Sequence, residues 1–304
     1  MHRRTLLQLA TASAAAAALP RSKAAAATAN GKTTAMPFIK AKDGTDLFVR
    51  DSGGAGKPIV FIHSWCLSSQ MWQYQTVPLV EAGFRCIAYD RRGHGRSDQP
   101  TTGYDIETLT GDLARIIDDR DLRDATIVSH SLGSCESVHY AAQRNTGRVT
   151  GLALLSPTTP CLTQRPDNPH GVPAAGFEAL RQQWRKDFSK WMDDNSDPFF
   201  TPETSPGMRR WLTGTMQGTP LDVAIACNKM MVETDFRPDC KNIRLPTVVI
   251  HGDKDASAPL PLTGAATAAL IPHATLNVYE GAPHGLFVTH MDRLNADLLA
   301  FLKA

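Results

Sequence analysis

A serine, two aspartates and a histidine stand where side chains of a sheet protein could do chemistry together. Ser131 lies in the stretch IVSHSLGSCE, between a β-branched run and the expected start of a helix. Further along the chain, HGDKDASAP carries Asp253 and Asp255, and EGAPHGL carries His284. A serine hydroxyl becomes a good nucleophile when a base takes its proton, and a histidine oriented by a carboxylate is suited to that role. These residue types predict attack by Ser131 on a carbonyl carbon.

The residues around Ser131 fit a tight turn between a strand and a helix. In such a turn the nucleophile has strained backbone dihedral angles, and small neighbours let the strand and the helix pass closely. The pattern is small-x-Ser-x-Gly, and the chain has Ser129 and Gly133 at its outer positions. Alone, the pattern also fits an ordinary strand-to-helix turn. The order serine, acid, histidine along the chain is what favours a hydrolase.

Short apolar runs alternate with longer amphipathic runs along the chain, and this alternation indicates the fold class. The predicted strands are 58–64, 84–90, 125–130, 149–156, 247–253 and 274–281. The predicted helices are 71–81, 106–119, 132–144, 260–270 and 291–302. Nearly continuous apolar strands are typical of a sheet that is covered on both faces. We therefore expect an α/β fold with a doubly wound, mostly parallel sheet.

Residues 158–241 interrupt this alternation. They contain prolines, polar turns and helical pieces such as GFEALRQQWRKDFSKW, and no apolar run typical of a buried strand. We interpret them as a helical lid inserted into a core that is formed by 36–157 and 242–304. Ligands of such sheets bind beyond the carboxyl ends of the strands, so a lid is expected there.

The first 29 residues differ in character from the rest. They hold the pair Arg3-Arg4, a mildly apolar Leu/Ala stretch and small residues suited to a signal peptidase, which is typical of a twin-arginine export signal. Cleavage after Ala27 removes four basic residues and no acidic one, which changes the formal net charge from +2 to −2. A disordered alanine-rich tail is the alternative interpretation. The signal predicts a periplasmic or secreted protein.

Composition excludes several classes of partner. After removal of the signal no basic patch remains, so neither nucleic acid nor an anionic membrane is an expected partner. The apolar run of the signal is too short and too rich in alanine to predict stable membrane insertion.

No cysteine spacing indicates a metal site, and we expect buried thiols at Cys66, Cys86, Cys135, Cys161, Cys227 and Cys240. Of these, Cys227 and Cys240 could pair after export. The sequence leaves open whether the chain forms a homo-oligomer.

Six motifs spread over essentially the whole mature chain belong together: DGTDLFVRDSG, HSWCLSSQMW, YDRRGHGRSDQP, VSHSLGS, IHGDKDASAP and EGAPHGLFVTHMDRLNADLLAFL. On these motifs the chain resembles the α/β-hydrolase group of cofactor-free haloperoxidases and arylesterases. The resemblance implies an α/β-hydrolase fold and a catalytic triad of Ser131, Asp255 and His284. It also implies an oxyanion hole formed by the backbone N–H groups of Trp65 and Leu132, and no metal or other cofactor.

The chain departs from the family at two positions. It has Ser64 and Ser129 where the family usually has glycine. Ser64 adjoins the expected oxyanion hole, and we expect it to line the substrate pocket together with Phe287. Asp253 lies in the same turn and could also be the acid, but the resemblance places Asp255 on the family position. We expect Asp253 to bind backbone amides of the turn.

The other histidines and the aromatic residues of the insert have structural interpretations. We expect His63, His130 and His251 to order loops near the site, and His94 to belong to a turn. The remaining histidines considered, which we expect to be ordinary surface or partly buried residues, are His139 and His290. The aromatic residues that we expect mainly to pack, with one or two lining the pocket, are Trp184, Phe188, Trp191 and Trp211.

The expected function is hydrolysis of small carboxylic esters through an acyl-enzyme. The resemblance also implies a secondary perhydrolase activity, in which hydrogen peroxide and a carboxylic acid give a peracid that oxidises halide. A lactone hydrolase of the same fold and a non-catalytic exported binding protein are the alternatives. Haloalkane dehalogenases and epoxide hydrolases attack through a carboxylate, which does not fit Ser131. All five tyrosines also lie outside the insert, whereas epoxide opening uses tyrosines of the lid.

The twin-arginine interpretation predicts the effect of a conservative change. Replacing both Arg3 and Arg4 by lysine keeps the charge but removes the element that the export receptor reads, so the protein is expected to stay in the cytoplasm. Fractionation of cells that express the wild type and the double variant measures this. Equal periplasmic recovery of the two proteins would contradict the interpretation.

Overall fold

The computed structural model describes residues 36–304, and the predicted export signal lies outside them. One sheet is built from β1 Phe38–Lys40, β2 Asp46–Asp51, β3 Pro58–Ile62, β4 Arg85–Tyr89, β5 Ala125–His130, β6 Val149–Leu155, β7 Thr247–Gly252 and β8 Thr275–Tyr279. The strand order is β1-β2-β4-β3-β5-β6-β7-β8. The pairs β1–β2 and β2–β4 are antiparallel, and the other pairs are parallel. The fold is the expected doubly wound α/β sheet.

The helices flank the sheet and fill the insert. They are α1 Gln73–Glu81, α2 Ile106–Asp119, α3 Gly133–Gln143, α4 Ala174–Asn195, α5 Pro206–Gln217, α6 Leu221–Glu233, α7 Arg237–Asn242, α8 Gly264–Leu270, α9 Leu286–Thr289 and α10 Met291–Lys303. Two 3-10 turns, Ser69–Trp72 and Asp197–Phe199, precede α1 and α5. Within residues 36–304, no helix is both long enough and apolar enough to cross a membrane.

The apolar strands contribute to two cores, one on each face of the sheet. In β3, Ile59 and Phe61 pack in one core, whereas Val60 and Ile62 pack in the other. Successive side chains of a strand point to opposite faces, so a strand covered on both sides must be apolar at every position. This arrangement explains the continuous apolar runs of the central strands, whereas in β8, at the edge of the sheet, only Tyr279 is buried. The structure confirms the six predicted strands and five predicted helices, with ends shifted by up to four residues.

Two strands have no counterpart among the predicted elements. β1 has three residues, of which only Ile39 is buried, and β2 has charged residues at both ends. Both lie on the antiparallel side of the sheet, where a strand need not be apolar throughout. Their short and mixed patterns gave no signal comparable with that of the central strands.

The segment between β6 and β7 contains α4 to α7, in agreement with the helical insert expected from the sequence. Its only β pairing among the described residues is two isolated bridges, Thr163↔Val172 and Arg165↔Asn168. α4 is kinked at Asp187, whose carboxylate accepts a hydrogen bond of 2.8 Å from the Lys190 N–H and so caps the second half of the helix. Its action as a lid stays a prediction.

All six cysteines are buried and unpaired, as expected of thiols in a large core. The pairing considered for Cys227 and Cys240 is therefore not found. Burial raises the pKa of the Cys135 and Cys227 thiols to about 12, which keeps both thiols protonated at neutral pH.

His139, expected to be an ordinary surface or partly buried residue, is largely buried and forms ion pairs. Its Nδ1 lies 2.8 Å from Asp239 of α7, and its Nε2 lies 3.0 Å from Glu107 of α2. The hydrogen bond with Asp239, aided by Glu107, raises the pKa of His139 above its ordinary value. His139 on α3 therefore joins three helices through its charged form.

This linkage predicts how stability depends on pH. A raised pKa in the folded state gives stability that is full below the ordinary imidazole value of 6.5 and is lost as pH rises through the folded value. The wild type should therefore exceed His139→Gln in unfolding free energy most at about pH 6 and less at about pH 9. Urea titrations at both pH values measure the difference.

His290 supplies the control, because burial and Arg293 lower its pKa. Its contribution should be full above the ordinary value of 6.5 and should be lost as pH falls below it, which is the opposite direction, as measured with His290→Gln. A His139→Gln difference that is constant across this range, or that grows with pH, would contradict the linkage.

Candidate active site

Ser131 occupies the turn between β5 and α3 with a φ of +53°. Such a value is uncommon for a residue other than glycine and is typical of a strained functional turn. The Ser131 N–H donates to the Leu155 carbonyl of β6 at 3.0 Å, and its carbonyl accepts from the Ser134 N–H at 2.9 Å and hydroxyl at 2.6 Å. The turn thus has the backbone expected of a nucleophile elbow.

Gly133 explains why small residues are needed beside the nucleophile. A Cβ atom at this position would lie 2.7 Å from the Ile62 carbonyl oxygen and 3.0 Å from that of His63. Only glycine lets α3 begin so close to the end of β3. At the other outer position, Ser129 is fully buried, and its hydroxyl has no partner within the described chain.

The acid and the histidine are joined by a short hydrogen bond. His284 Nδ1 lies 2.7 Å from Asp255 Oδ2, and both side chains are buried. The other carboxylate oxygen accepts from the backbone N–H groups of Ser257 at 3.0 Å and Ala258 at 2.7 Å. Asp253 instead accepts from the Gly281 N–H at 2.7 Å in an exposed turn. Of the two aspartates, Asp255 is therefore the one that contacts His284.

His251 is a further partner of Asp255. Its Nε2 lies 2.8 Å from the Ala258 carbonyl oxygen and 3.2 Å from Asp255 Oδ2, so this nitrogen carries the proton and donates. Burial alone would raise the pKa of Asp255, but nearby His284 and the hydrogen bonds from His251 and His284 lower it well below its usual range. Asp255 is therefore ionised. Sequence reasoning gave His251 a loop-ordering role and missed this contact, although the spacing of four residues at a strand end was a signal for it.

His130 connects the elbow to His284. Its Nε2 lies 2.8 Å from the His284 carbonyl oxygen, and the two rings are 4.7 Å apart. Burial, aided by the nearby His284 ring, lowers the pKa of His130 well below its ordinary value, so its Nε2–H donates from a neutral ring. Because His130 precedes Ser131, the contact brings the hydroxyl and the imidazole into one site. No hydrogen bond between them is present within residues 36–304, and such bonds often tighten only with substrate bound.

Two backbone N–H groups are available beside the serine. Neither the Trp65 nor the Leu132 N–H donates a hydrogen bond to any residue of the described chain. Two hydrogen bonds hold the Trp65 loop against the insert. Trp65 Nε1 donates to the Ala224 carbonyl at 2.9 Å, and the Thr219 hydroxyl donates to the Cys66 carbonyl at 3.1 Å. Cys66 itself has a φ of +56°, which turns the chain sharply after Trp65. Both N–H groups suit an oxyanion hole.

Trp65 also lies in an aromatic cluster with side chains of α4. Its ring is 4.8 Å from Trp184, 5.9 Å from Phe188 and 6.3 Å from Trp191. Trp184 is almost fully buried, whereas Phe188 and Trp191 are partly exposed. Trp211 lies apart from this cluster and contacts Tyr74 at 6.0 Å. The cluster gives the site an apolar wall next to one oxyanion donor.

The prediction that Phe287 lines the pocket is wrong. Its side chain has no exposed surface, because α9 points it into the core. The centre of its ring lies 5.1 Å from that of His130 and 6.2 Å from that of Trp72. Phe287 supports the histidine pair from the core. Ser64 is 4% exposed, and its backbone N–H donates to the Met71 sulfur at 3.4 Å. Its place in the substrate pocket stays a prediction. Among residues 36–304, no group of three or more His, Cys, Asp or Glu side chains is placed to hold a metal ion.

Known proteins resemble this chain over nearly all of its described length. Residues 57–223 match the model of the alpha/beta hydrolase fold family. A non-heme chloroperoxidase of Kitasatospora aureofaciens is 38% identical over 275 residues, which cover 88% of this chain and 100% of that protein. A bifunctional esterase/perhydrolase of Acinetobacter calcoaceticus is 32% identical with the same coverage. The crystal structure of a bromoperoxidase from Bacillus anthracis has a TM-score of 0.84 and 34% identity, covering 88% of this chain and 99% of that one.

The contacts of the two aspartates predict opposite results for matched substitutions. Asp255→Asn removes the charge that holds the His284 tautomer, and the corresponding change in a serine protease lowers kcat about 10⁴-fold. Asp253→Asn should keep kcat within about threefold of the wild type, because Asp253 only accepts from a turn amide. Aryl acetate hydrolysis by the two variants measures this. Equal losses, or a larger loss in Asp253→Asn, would contradict the assignment.

Proposed function

The chain belongs to the α/β-hydrolase family, and we propose that it is a serine hydrolase which cleaves small carboxylic esters through an acyl-enzyme on Ser131. The observation that carries the proposal is the buried Asp255–His284 hydrogen bond of 2.7 Å. The His284 carbonyl accepts from His130, the residue before a serine held at a φ of +53°. Two backbone N–H groups without partners in the described chain lie on the loops next to that serine. A nucleophile, a base, an orienting acid and donors for an oxyanion are the parts that acyl transfer requires.

In the first half-reaction the Ser131 hydroxyl oxygen attacks the ester carbonyl carbon while His284 Nε2 takes the hydroxyl proton. Asp255 holds the Nδ1 proton and stabilises the imidazolium that forms. The N–H groups of Trp65 and Leu132 donate to the carbonyl oxygen as it becomes an oxyanion. When the carbonyl re-forms, the ester C–O bond breaks and His284 returns its proton to the leaving alcohol. An acyl group then remains on Ser131.

The second half-reaction depends on which small nucleophile reaches the acyl carbonyl. Water gives the carboxylic acid, with His284 again acting as base. When a carboxylic acid takes the place of the ester in the first half-reaction, water is the leaving group that receives the proton from His284. Hydrogen peroxide then attacks the acyl carbonyl and gives a peracid and free Ser131. The peracid oxidises bromide to hypobromite in solution while it is reduced to the acid. We infer this as a secondary activity. The names of the similar proteins, a chloroperoxidase and an esterase/perhydrolase, support it, and neither half-reaction needs a metal or another cofactor.

The aromatic cluster supports esters with an apolar acyl or alcohol group as substrates. Trp65 carries an oxyanion donor and contacts Phe188 and Trp191, which keep part of their surface exposed. An apolar wall with a few convergent polar groups is the usual composition of a small-molecule site. A cyclic ester would undergo the same steps, so lactone hydrolysis stays within the proposal.

We also propose that the protein is exported by the Arg3-Arg4 signal, and this proposal rests on the sequence alone.

Removal of the serine hydroxyl tests the proposal. Ser131→Ala should lower kcat for an aryl acetate by at least about 10³-fold, because the acyl-enzyme cannot form. Ser137→Ala is the matched control on α3, the helix that follows the Ser131 turn, since its hydroxyl only donates to the Gly133 carbonyl at 2.9 Å. That variant should keep most of the activity. Hydrolysis that survives in Ser131→Ala would overturn the proposal.

The same pair of variants tests the secondary activity. Wild type and Ser137→Ala should brominate a phenol-type indicator when peroxide, bromide and acetate are all present, and Ser131→Ala should not. Bromination that persists in Ser131→Ala, or that occurs without any carboxylic acid, would show that the peracid does not come from the acyl-enzyme.

A further inference from the structure

A buried ion pair lies behind the candidate oxyanion hole and has no part in the steps proposed above. Arg91 is 1% exposed and Glu136 is 0% exposed. Arg91 Nε donates to Glu136 Oε1 at 2.5 Å, and the Tyr89 hydroxyl donates to Glu136 Oε2 at 2.7 Å. Ion pairs removed from water contribute little net stability compared with apolar packing, so a pair in this position calls for a reason other than stability.

The first connection runs from Arg91 to the loop after β3. Arg91 donates from its side chain to the His63 carbonyl and from its backbone to His63 Nε2, both at 2.9 Å. Since Nε2 accepts, the ring proton is on Nδ1, which donates to the Ser64 carbonyl at 2.8 Å. Arg91 therefore fixes the ring that holds the Ser64 carbonyl oxygen.

Fixing that carbonyl also fixes the first oxyanion donor. The Ser64 carbonyl and the Trp65 N–H belong to one planar peptide group, and in a trans peptide they point in opposite directions. His63 pulls the oxygen toward the core, so the Trp65 N–H is turned away from His63. This is the N–H group that has no partner in the described chain.

The second connection runs from Glu136 to the other donor. Glu136 lies on α3 four residues after Leu132, which is about one helical turn. The helix begins against the same loop, because a Cβ at Gly133 would lie 3.0 Å from the His63 carbonyl oxygen. The helix that presents the Leu132 N–H and the loop that presents the Trp65 N–H are thus joined by contact at Gly133 and by charge at Glu136.

We propose that the Arg91–Glu136 pair positions the two halves of the oxyanion hole relative to each other, as a positioning device for acyl transfer. The inference rests on the proposed function. Each oxyanion donor is worth about 10²–10³ in kcat in the best-studied case, and that value requires placement within about 0.5 Å. Loss of the pair lets the two N–H groups drift apart without removing either one, so it lowers transition-state stabilisation rather than substrate binding.

Arg92, the next residue, provides a matched control. It forms a second buried ion pair with Asp112, at 2.6 Å and 2.8 Å, and its side-chain hydrogen bonds go to Asp112 and Asp43 rather than to the loop after β3. Glu136→Gln and Asp112→Asn each remove the negative charge that pairs with a buried arginine. A purely structural role for the Arg91 pair predicts the same outcome for both variants, namely lower thermal stability with unchanged kcat.

The experiment compares kcat, KM and inhibitor affinity for folded wild type, Glu136→Gln and Asp112→Asn. The inhibitors are an aryl trifluoromethyl ketone, which forms a tetrahedral oxyanion adduct with the serine, and the matching methyl ketone, which resembles the bound ester. Glu136→Gln should lower kcat for an aryl acetate about 10-fold to 10²-fold with KM changed less than about threefold. It should weaken the trifluoromethyl ketone by a similar factor and leave the methyl ketone unchanged. Asp112→Asn should keep all four values near those of the wild type.

Three results would overturn the inference. The first is an unchanged kcat in folded Glu136→Gln, the second is an equal loss of affinity for both ketones, and the third is an equal loss of kcat in Asp112→Asn. If Glu136→Gln does not fold, Glu136→Asp keeps the charge but shortens the side chain. It should show the same pattern to a smaller extent, and a wild-type kcat would overturn the inference. Absence of ester hydrolysis by the wild type would overturn the proposed function and this inference together.

Discussion

The close approach of α3 to the end of β3 is the constraint on which the rest of the site depends. Gly133 leaves no room for a Cβ atom against the Ile62 carbonyl, and Ser131 takes a left-handed backbone conformation to make the turn. This approach places the serine and the Leu132 N–H next to the loop that presents the Trp65 N–H. Hydrogen bonds of the Ser131 N–H and carbonyl, to β6 and to Ser134, stabilise this strained backbone conformation.

The other half of the site is built by the parallel order of the sheet. β5, β6, β7 and β8 are neighbours, so the residues that follow β5, β7 and β8 emerge at the same edge. Asp255 follows β7, and its carboxylate is held by two backbone N–H groups and by His251 before it meets His284. His284, the proposed base, is therefore oriented by a carboxylate that is itself held by three hydrogen bonds. A carboxylate held in this way keeps the imidazole in the tautomer that acyl transfer requires.

Features that a short stretch of sequence determines could be predicted, whereas contacts that depend on how distant elements pack could not. The continuous apolar strands, the small-x-Ser-x-Gly turn and the acids and histidine at strand ends were all readable, because each is a feature of a short stretch. Phe287 was misplaced because its burial beneath His130 depends on how α9 packs on the core. His139 pairs with residues 32 and 100 positions away, and Arg91 pairs with a residue 45 positions away. At such separations the sequence carries no periodic signal.

The central claim is that catalysis passes through an acyl group on the Ser131 oxygen, and rapid quenching of the enzyme with an aryl acetate tests it most directly. Mass spectrometry of the digested protein should find one acetyl group, on the peptide that contains Ser131, at the earliest quench times. His284→Ala should accumulate little of this adduct, because the hydroxyl then lacks its base. Turnover by the wild type with no adduct on that peptide, or with the acetyl group on another side chain, would contradict the account.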